Sequence, residues 1–295
     1  MSTAASARRT WARIPRVPAE GFFVGSAVFH YLGPAFAVLL FARVDVLGVA
    51  WLRIASAAVI FTVWRRPWRT VAALDRGGRL LVVGLGAVLG LMNPLFYEAI
   101  DRLPLGTVAA IEFLGPIVLA AIGVRSARNA VAICLAVPGV YVLTDLRLAA
   151  EPLGILFAFA NAALFLGYIV LAHRLARRGA AGGVDGLAAA MVVALVVATP
   201  IGGWAALPAL VDPVALGAGI GVGVSSSVIP YVCDQLALTR LSRSTYALLV
   251  SLLPATATVV GVVVLRQIPT ARELIGVGLV VLGVAAHRDA AAAST

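Results

Sequence analysis

The stretch Gly90–Ala120, GLMNPLFYEAIDRLPLGTVAAIEFLGPIVLA, decides the class of this chain. It is apolar enough to lie in a bilayer, yet it carries Asn93, Pro94, Tyr97, Glu98, Glu112, Gly115 and Pro116. Lipid penalises ionisable side chains and broken backbone hydrogen bonds. Such residues persist at membrane depth where they face protein or a water-filled cavity. The stretch therefore reads as half of a substrate path, and the remaining chain as what surrounds it.

The rest of the sequence is of the same kind. Hydrophobic residues make up 62% and charged residues 12%, with mean hydropathy +1.03, against about 45–50% apolar and about 25% charged in soluble domains. The excess runs the length of the chain, which implies an all-α integral membrane protein. The net charge of +10 is carried by Arg without any Lys. Most of these residues sit in short segments between apolar runs, the pattern of cytoplasmic loops, whereas a nucleic-acid protein gathers them on one polar face. Cys134 and Cys233 lie in separate apolar runs without metal-ligand or disulfide spacing, and read as small buried residues.

A span needs roughly 20 apolar residues, or a few fewer where it is short or kinked. Ten candidates satisfy that rule: 22–41, 46–64, 79–98, 103–123, 129–144, 153–172, 186–207, 214–236, 244–265 and 273–287. The basic start, RRTWARIPRVP, resembles a signal peptide, but the run after it is of membrane length with no small-residue cleavage site, so it reads as an uncleaved first span. With the N-terminus inside, the Arg clusters at 8–16, 65–79, 125–128, 174–178 and 240–243, with Arg288, all fall on the inner side. Only Arg43, Arg102, Arg147, Arg266 and Arg272 fall outside. That bias puts both termini in the cytoplasm.

Sliding the chain onto itself aligns Arg102-Leu103 with Arg240-Leu241, Thr107 with Thr245, Pro116 with Pro254 and Gly123 with Gly261. Each unit would hold five spans, and an odd number inverts the second unit relative to the first. The expected organisation is a cytoplasmic segment 1–20, a first repeat 21–145, a second repeat 146–288 and a cytoplasmic tail 289–295.

Within these spans, Asn93, Tyr97 and Asp101 step along one helix face. Asn93 and Tyr97 are suited to hydrogen-bond a polar substrate, or equally to join helices at about 0.6–2 kcal/mol each. Glu98 precedes Arg102 by four residues, the favourable order for a helix ion pair. Glu112 sits mid-span with no basic residue one turn away, and is the leading candidate to take up and release protons or to meet an ammonium group. Pro116 clashes with the carbonyl four residues back, which belongs to Glu112 itself. Asp234 follows the same intramembrane logic, beside Pro230, Tyr231 and Gln235 and after Ser225, Ser226 and Ser227. Arg53 reads as snorkelling or structurally paired; His30-Tyr31, Asn161 and Tyr168 are candidate cavity liners. No HExxH, GxSxG or GxxxxGK[ST] pattern occurs, so neither a metal, a cofactor nor catalysis is expected.

On MN-x-LFY (Met92, Asn93, Leu95 to Tyr97), PLG (Pro104 to Gly106), EF-x-GP (Glu112, Phe113, Gly115, Pro116), Leu52-Arg53, and PY with a following acid before ALTRL (Pro230, Tyr231, Asp234, Ala237 to Leu241), the chain resembles the drug/metabolite transporter superfamily. Within it the resemblance is to the EamA-type ten-helix carriers, and among these to the bacterial inner-membrane threonine/homoserine exporter group. The resemblance implies a duplicated five-helix unit and export of small amino acids or related metabolites, with protons as the candidate coupling ion. These carriers often place Glu immediately before the second-repeat proline, where this chain has Leu253.

The expectation is thus a secondary active exporter working by alternating access in the inner membrane, with the bilayer, protons and a small molecule as partners and self-association left open. Asn93, Tyr97, Glu112, Phe113, Tyr231, Asp234, Gln235 and Ser251 would line the site. Glu112 and Asp234 would be the proton-coupling candidates, and Pro94, Gly115, Pro116, Pro230 and Pro254 the hinges. An uncoupled facilitator or channel is the first alternative, and an intramembrane enzyme a more distant one.

Overall fold

A computed structural model describes residues 19–123, 127–148, 150–176, 184–230, 233 and 251–286. The described elements are helical. They are α1 (Ala19–Leu40), α2 (Val46–Arg65), the short α3 (Pro67–Ala73), α4 (Arg76–Arg102), α5 (Leu105–Gly123), α6 (Ala127–Leu148) and α7 (Pro152–Ala176). There follow α8 (Val184–Val211), α9 (Pro213–Gly223), which runs on into a π-helical turn (Val224–Val228), then α10 (Leu253–Leu265) and α11 (Ala271–Ala286). Among the described residues α1, α2, α4, α7 and α8 are long and apolar enough to cross a membrane, and parts of α5, α6, α9 and α10 form shorter apolar helices.

Polar residues punctuate the apolar runs. Asp45 caps α2 by accepting a hydrogen bond from Leu47 N at 2.9 Å, and Asp75 caps α4 through Gly78 N at 2.8 Å. Asp212 does the same for α9 through Val214 N, and Glu273 reaches back to Thr270 N at 2.8 Å to open α11. Each satisfies a donor that the first helical turn leaves without an internal partner. Between α2 and α4 the Arg-rich segment expected to be a loop instead forms α3. Arg66 takes φ 51° to end α2, and Pro67 starts the next helix at once.

Helix contacts run mainly α2 to α8, α6 to α11, and α4 to both α7 and α8. Further contacts join α5 to α7, α10 to α1, α10 to α5 and α9 to α2. Small residues make the close ones. A Cβ on Gly139 of α6 would lie 2.8 Å from the Gly276 carbonyl of α11, and one on Gly276 would lie 3.0 Å from the Gly139 carbonyl. Between apolar helices in lipid, backbone approach of this kind supplies the packing that water would otherwise drive. Large apolar side chains such as Val63, Trp204, Val211 and Val263 face outward, a surface that water would not tolerate and lipid does. Cys134 also faces outward, contrary to the expected burial.

Candidate functional site

The interior holds a polar cluster assembled by six helices. Its cation is Arg53, on the second turn of α2. Of the two readings the sequence allowed for Arg53, snorkelling or structural pairing, outward snorkelling is not what occurs: the side chain turns to α9, where Nε donates to Ser227 Oγ at 3.2 Å and an Nη donates to the Ser226 carbonyl at 3.3 Å. The reason is readable in the backbone. A helical carbonyl at position 226 would ordinarily accept from the amide of residue 230, but residue 230 is proline and has no N–H. Around it the helix widens, with Ile229 N bonding to the Val224 carbonyl. Such π-helical turns occur often at functional sites. The Ser226 carbonyl accepts from Arg53 in place of that missing amide.

Two glycines create the room. A Cβ on Gly33 of α1 would lie 2.1 Å from Ser226 Oγ and 2.7 Å from Ser226 N; one on Gly223 would lie 1.8 Å from Ser56 Oγ and 2.9 Å from the Arg53 carbonyl. The serine turn is therefore clamped between the backbones of α1 and α2. Ser26 Oγ on α1 adds a hydrogen bond to the Pro230 carbonyl at 3.3 Å.

Tyr97 of α4 is fully buried, with the Arg53 guanidinium 5.5 Å from its ring centroid, a cation–π contact. Its Oη points toward Arg53 and Ser226, yet neither Tyr97 Oη nor Ser226 Oγ makes a hydrogen bond of normal geometry. On the other side lies Glu112 of α5, only 6% exposed, whose Oε1 accepts from Asn161 Nδ2 of α7 at 3.2 Å. The charge of Arg53 acts on Glu112 and on His30 of α1, and that of Glu112 acts on Tyr31. The structure thus brings Tyr97 and Glu112 to one place.

Other candidates are arranged differently. Asn93 is buried, but its Nδ2 donates to the Leu89 carbonyl of its own helix at 2.9 Å. Phe113 packs on Phe165, centroids 6.3 Å apart, and Ser251 is buried. Pro94 and Pro116 lie inside α4 and α5, with Gly115 beside the latter, whereas Pro254 falls in the first turn of α10. Tyr231, Asp234 and Gln235 lie outside the described residues. Asp101 is half-exposed, 3.7 Å from Arg102, which also forms the expected ion pair with Glu98. What the sequence reading underweighted is Arg53 together with the Ser226–Pro230 pair. The signal was present in part: a serine four residues before a proline in one apolar run, and an arginine inside another.

Apolar helices closed around a part-buried cation, a buried carboxylate and several hydroxyls define a membrane protein with a polar interior, the architecture of a carrier. The sequence model of the EamA-like transporter family matches residues 152–286. The chain is 32% identical over 252 residues to the threonine/homoserine exporter RhtA of Escherichia coli K12, covering 84% of each chain. It is 33% identical over 246 residues to the RhtA of Salmonella typhimurium LT2, covering 82% of each. A crystal structure at 19% identity superposes with a TM-score of 0.59 over 90% of this chain and 96% of that one, a likeness of fold. The chain belongs to the EamA-like transporter family of the drug/metabolite transporter superfamily.

Proposed function

We propose that the protein is a secondary active exporter of small amino acids of the threonine/homoserine kind. It works by alternating access across the inner membrane, is driven by protons and performs no catalysis. The observation that carries this reading is Glu112: a carboxylate buried mid-helix, held by Asn161 and within the field of Arg53. An ionisable group so placed must be neutralised or paired before the cavity closes, which suits it to exchange a proton for cargo. Asn93, Tyr97, Phe113 and Ser251 line the site with Tyr231, Asp234 and Gln235; Asp234 is the second proton-coupling candidate. Pro94, Gly115, Pro116, Pro230 and Pro254 serve as hinges.

The proposed frame is ten spans in two inverted repeats, 21–145 and 146–288, with the segment 1–20 and the tail 289–295 in the cytoplasm. The helix contacts support it. Pairing α1, α2, α4, α5 and α6 with α7, α8, α9, α10 and α11 turns the contact α5 to α7 into α10 to α1, and α4 to α8 into α9 to α2. The contacts α2 to α8, α6 to α11 and α5 to α10 map onto themselves. That is the exchange expected of a pseudo-two-fold axis in the membrane plane, with a site at the repeat interface.

The test is transport in reconstituted vesicles with labelled threonine and homoserine. The native chain should accumulate either substrate when a proton gradient is imposed. Glu112→Gln should abolish that accumulation while leaving exchange of substrate across the membrane. Undiminished gradient-driven accumulation by Glu112→Gln would remove Glu112 from coupling, and failure of the native chain to move either amino acid would remove the substrate assignment.

A further inference from the structure

Arg53 is charged, buried in part and turned inward, and its two hydrogen bonds engage neutral groups. Among the described residues no carboxylate pairs with it; the ion pairs there are Arg65–Asp185, Arg102–Glu98 and Arg102–Asp101. A guanidinium has five N–H donors, and holding a cation partly out of water without an anion is unfavourable. Among the described residues Arg53 therefore has no anion, and a ligand would bring one.

A second observation points to the same place. Native interiors leave few buried polar groups unpaired, and an exception asks for a reason such as a ligand. Among the described residues the buried side-chain atoms without a hydrogen bond are Tyr31 Oη, Tyr97 Oη, Asn161 Oδ1 and Ser226 Oγ. All four border the Arg53–Glu112 cluster, and their chemistry sorts by side. Next to Arg53 stand two hydroxyls able to donate, Tyr97 Oη and Ser226 Oγ. Next to Glu112 stand Asn161 Oδ1, which can only accept, and Tyr31 Oη, which accepts as well as donates. Groups able to donate stand with the cation, and groups able to accept stand with the anion. A carboxylate accepts and an ammonium donates, so the missing ligand has one of each.

We infer that Arg53, with the serine turn of α9 and the Tyr97 hydroxyl, binds the α-carboxylate of the transported amino acid while Glu112 and Asn161 bind its α-ammonium. This deepens the proposed function and rests on it. The cargo is recognised as a zwitterion, held between the cation of α2 and the carboxylate of α5. Arg53 and Glu112 interact through space without forming a direct ion pair, so each keeps hydrogen-bonding capacity for the ligand.

The test runs first on the unmodified protein in vesicles, by competition against labelled threonine or, if threonine is not carried, against whichever α-amino acid of a panel is. Threoninol, in which a hydroxymethyl group replaces the carboxylate, and N-acetylthreonine, which lacks the ammonium, should each compete at least tenfold more weakly than threonine; the matching amino alcohol and N-acetyl derivative serve for another cargo. In Arg53→Gln the preference for the amino acid over the amino alcohol should fall to near one, and Arg53→Lys should restore part of it. Ser227→Ala, which keeps the charge and a near-native volume, should weaken the same preference severalfold. Glu112→Gln should keep the carboxylate preference and lose that for the free amine. An amino alcohol that competes as well as the amino acid in the native protein, or an Arg53→Gln protein that retains discrimination, overturns the inference. Transport of another α-amino acid with the predicted discrimination supports it while sinking the threonine/homoserine assignment. A panel in which no α-amino acid is carried sinks both.

Discussion

Gly33→Ala is the substitution that most directly interrogates the clamp on the serine turn. The added methyl would sit 2.7 Å from Ser226 N, a backbone atom that no rotamer change can move. It would also lie 2.1 Å from Ser226 Oγ and 2.9 Å from Ser225 Oγ. Restoring ordinary contact requires α1 and the turn to separate by roughly 0.7 Å or more, since non-bonded atoms settle near 3.4–4 Å. Overpacking of this kind costs about 1–3 kcal/mol, and displacing the turn from Arg53 forfeits part of two hydrogen bonds to a charged group, worth about 1.5–3 kcal/mol each. Helix propensity returns about 1 kcal/mol for replacing glycine with alanine. The net expectation is a loss of about 2–4 kcal/mol. Gly217→Ala on α9 is the control: nothing lies within 4 Å of a Cβ there, so only the propensity gain of about 1 kcal/mol applies. Reversible denaturant titration in mixed micelles, read by tryptophan fluorescence, measures both variants. Equal stability of Gly33→Ala and Gly217→Ala, with transport intact in both, would refute the clamp.

Two further substitutions probe the other walls. Asn161→Leu strips Glu112 of its donor, a hydrogen bond to a carboxylate worth about 1.5–3 kcal/mol, and should cut gradient-driven accumulation at least tenfold in vesicles while the purified protein stays monodisperse. Gln267→Ala removes the side-chain oxygen that accepts from Leu105 N at 3.1 Å and so caps α5 from the α10–α11 connection. It should cost about 0.5–2 kcal/mol, in the manner of a lost helix cap, and speed hydrogen exchange at the start of α5 in particular; unchanged exchange there would deny the cap.

Much of the membrane class was legible because apolar runs and their polar boundaries report burial in lipid directly. Asp45, Asp75 and Asp212 mark helix starts by side-chain chemistry that depends on two or three neighbouring residues. Glu98 and Arg102 pair for the same local reason. Glu112 stood out because a carboxylate in mid-span has few reasons to be there. Arg53 was harder. Its choice between the interface and the interior depends on how α2 is rotated, and that rotation is set by α8 and α9, far away in sequence. Asn93 shows a different limit: an amide on that face spends one donor on its own helix, and spacing does not reveal which of its hydrogen bonds stay with the helix and which are offered to a ligand. α3 was missed because an Arg- and Trp-rich segment between spans reads as loop by composition, although Pro67 after a left-handed Arg66 is a competent helix start.

Pro230 and Arg53 carry a consequence for descent. The proline removes the amide that an α-helix would offer the Ser226 carbonyl, and the arginine donates to that carbonyl, so the two residues serve one another. A relative with an ordinary residue at 230 regains an amide that competes for that carbonyl and leaves the guanidinium only the Ser227 hydroxyl on this turn, which weakens the hold on the arginine. The two positions, 177 residues apart in the chain, are expected to be inherited and lost together.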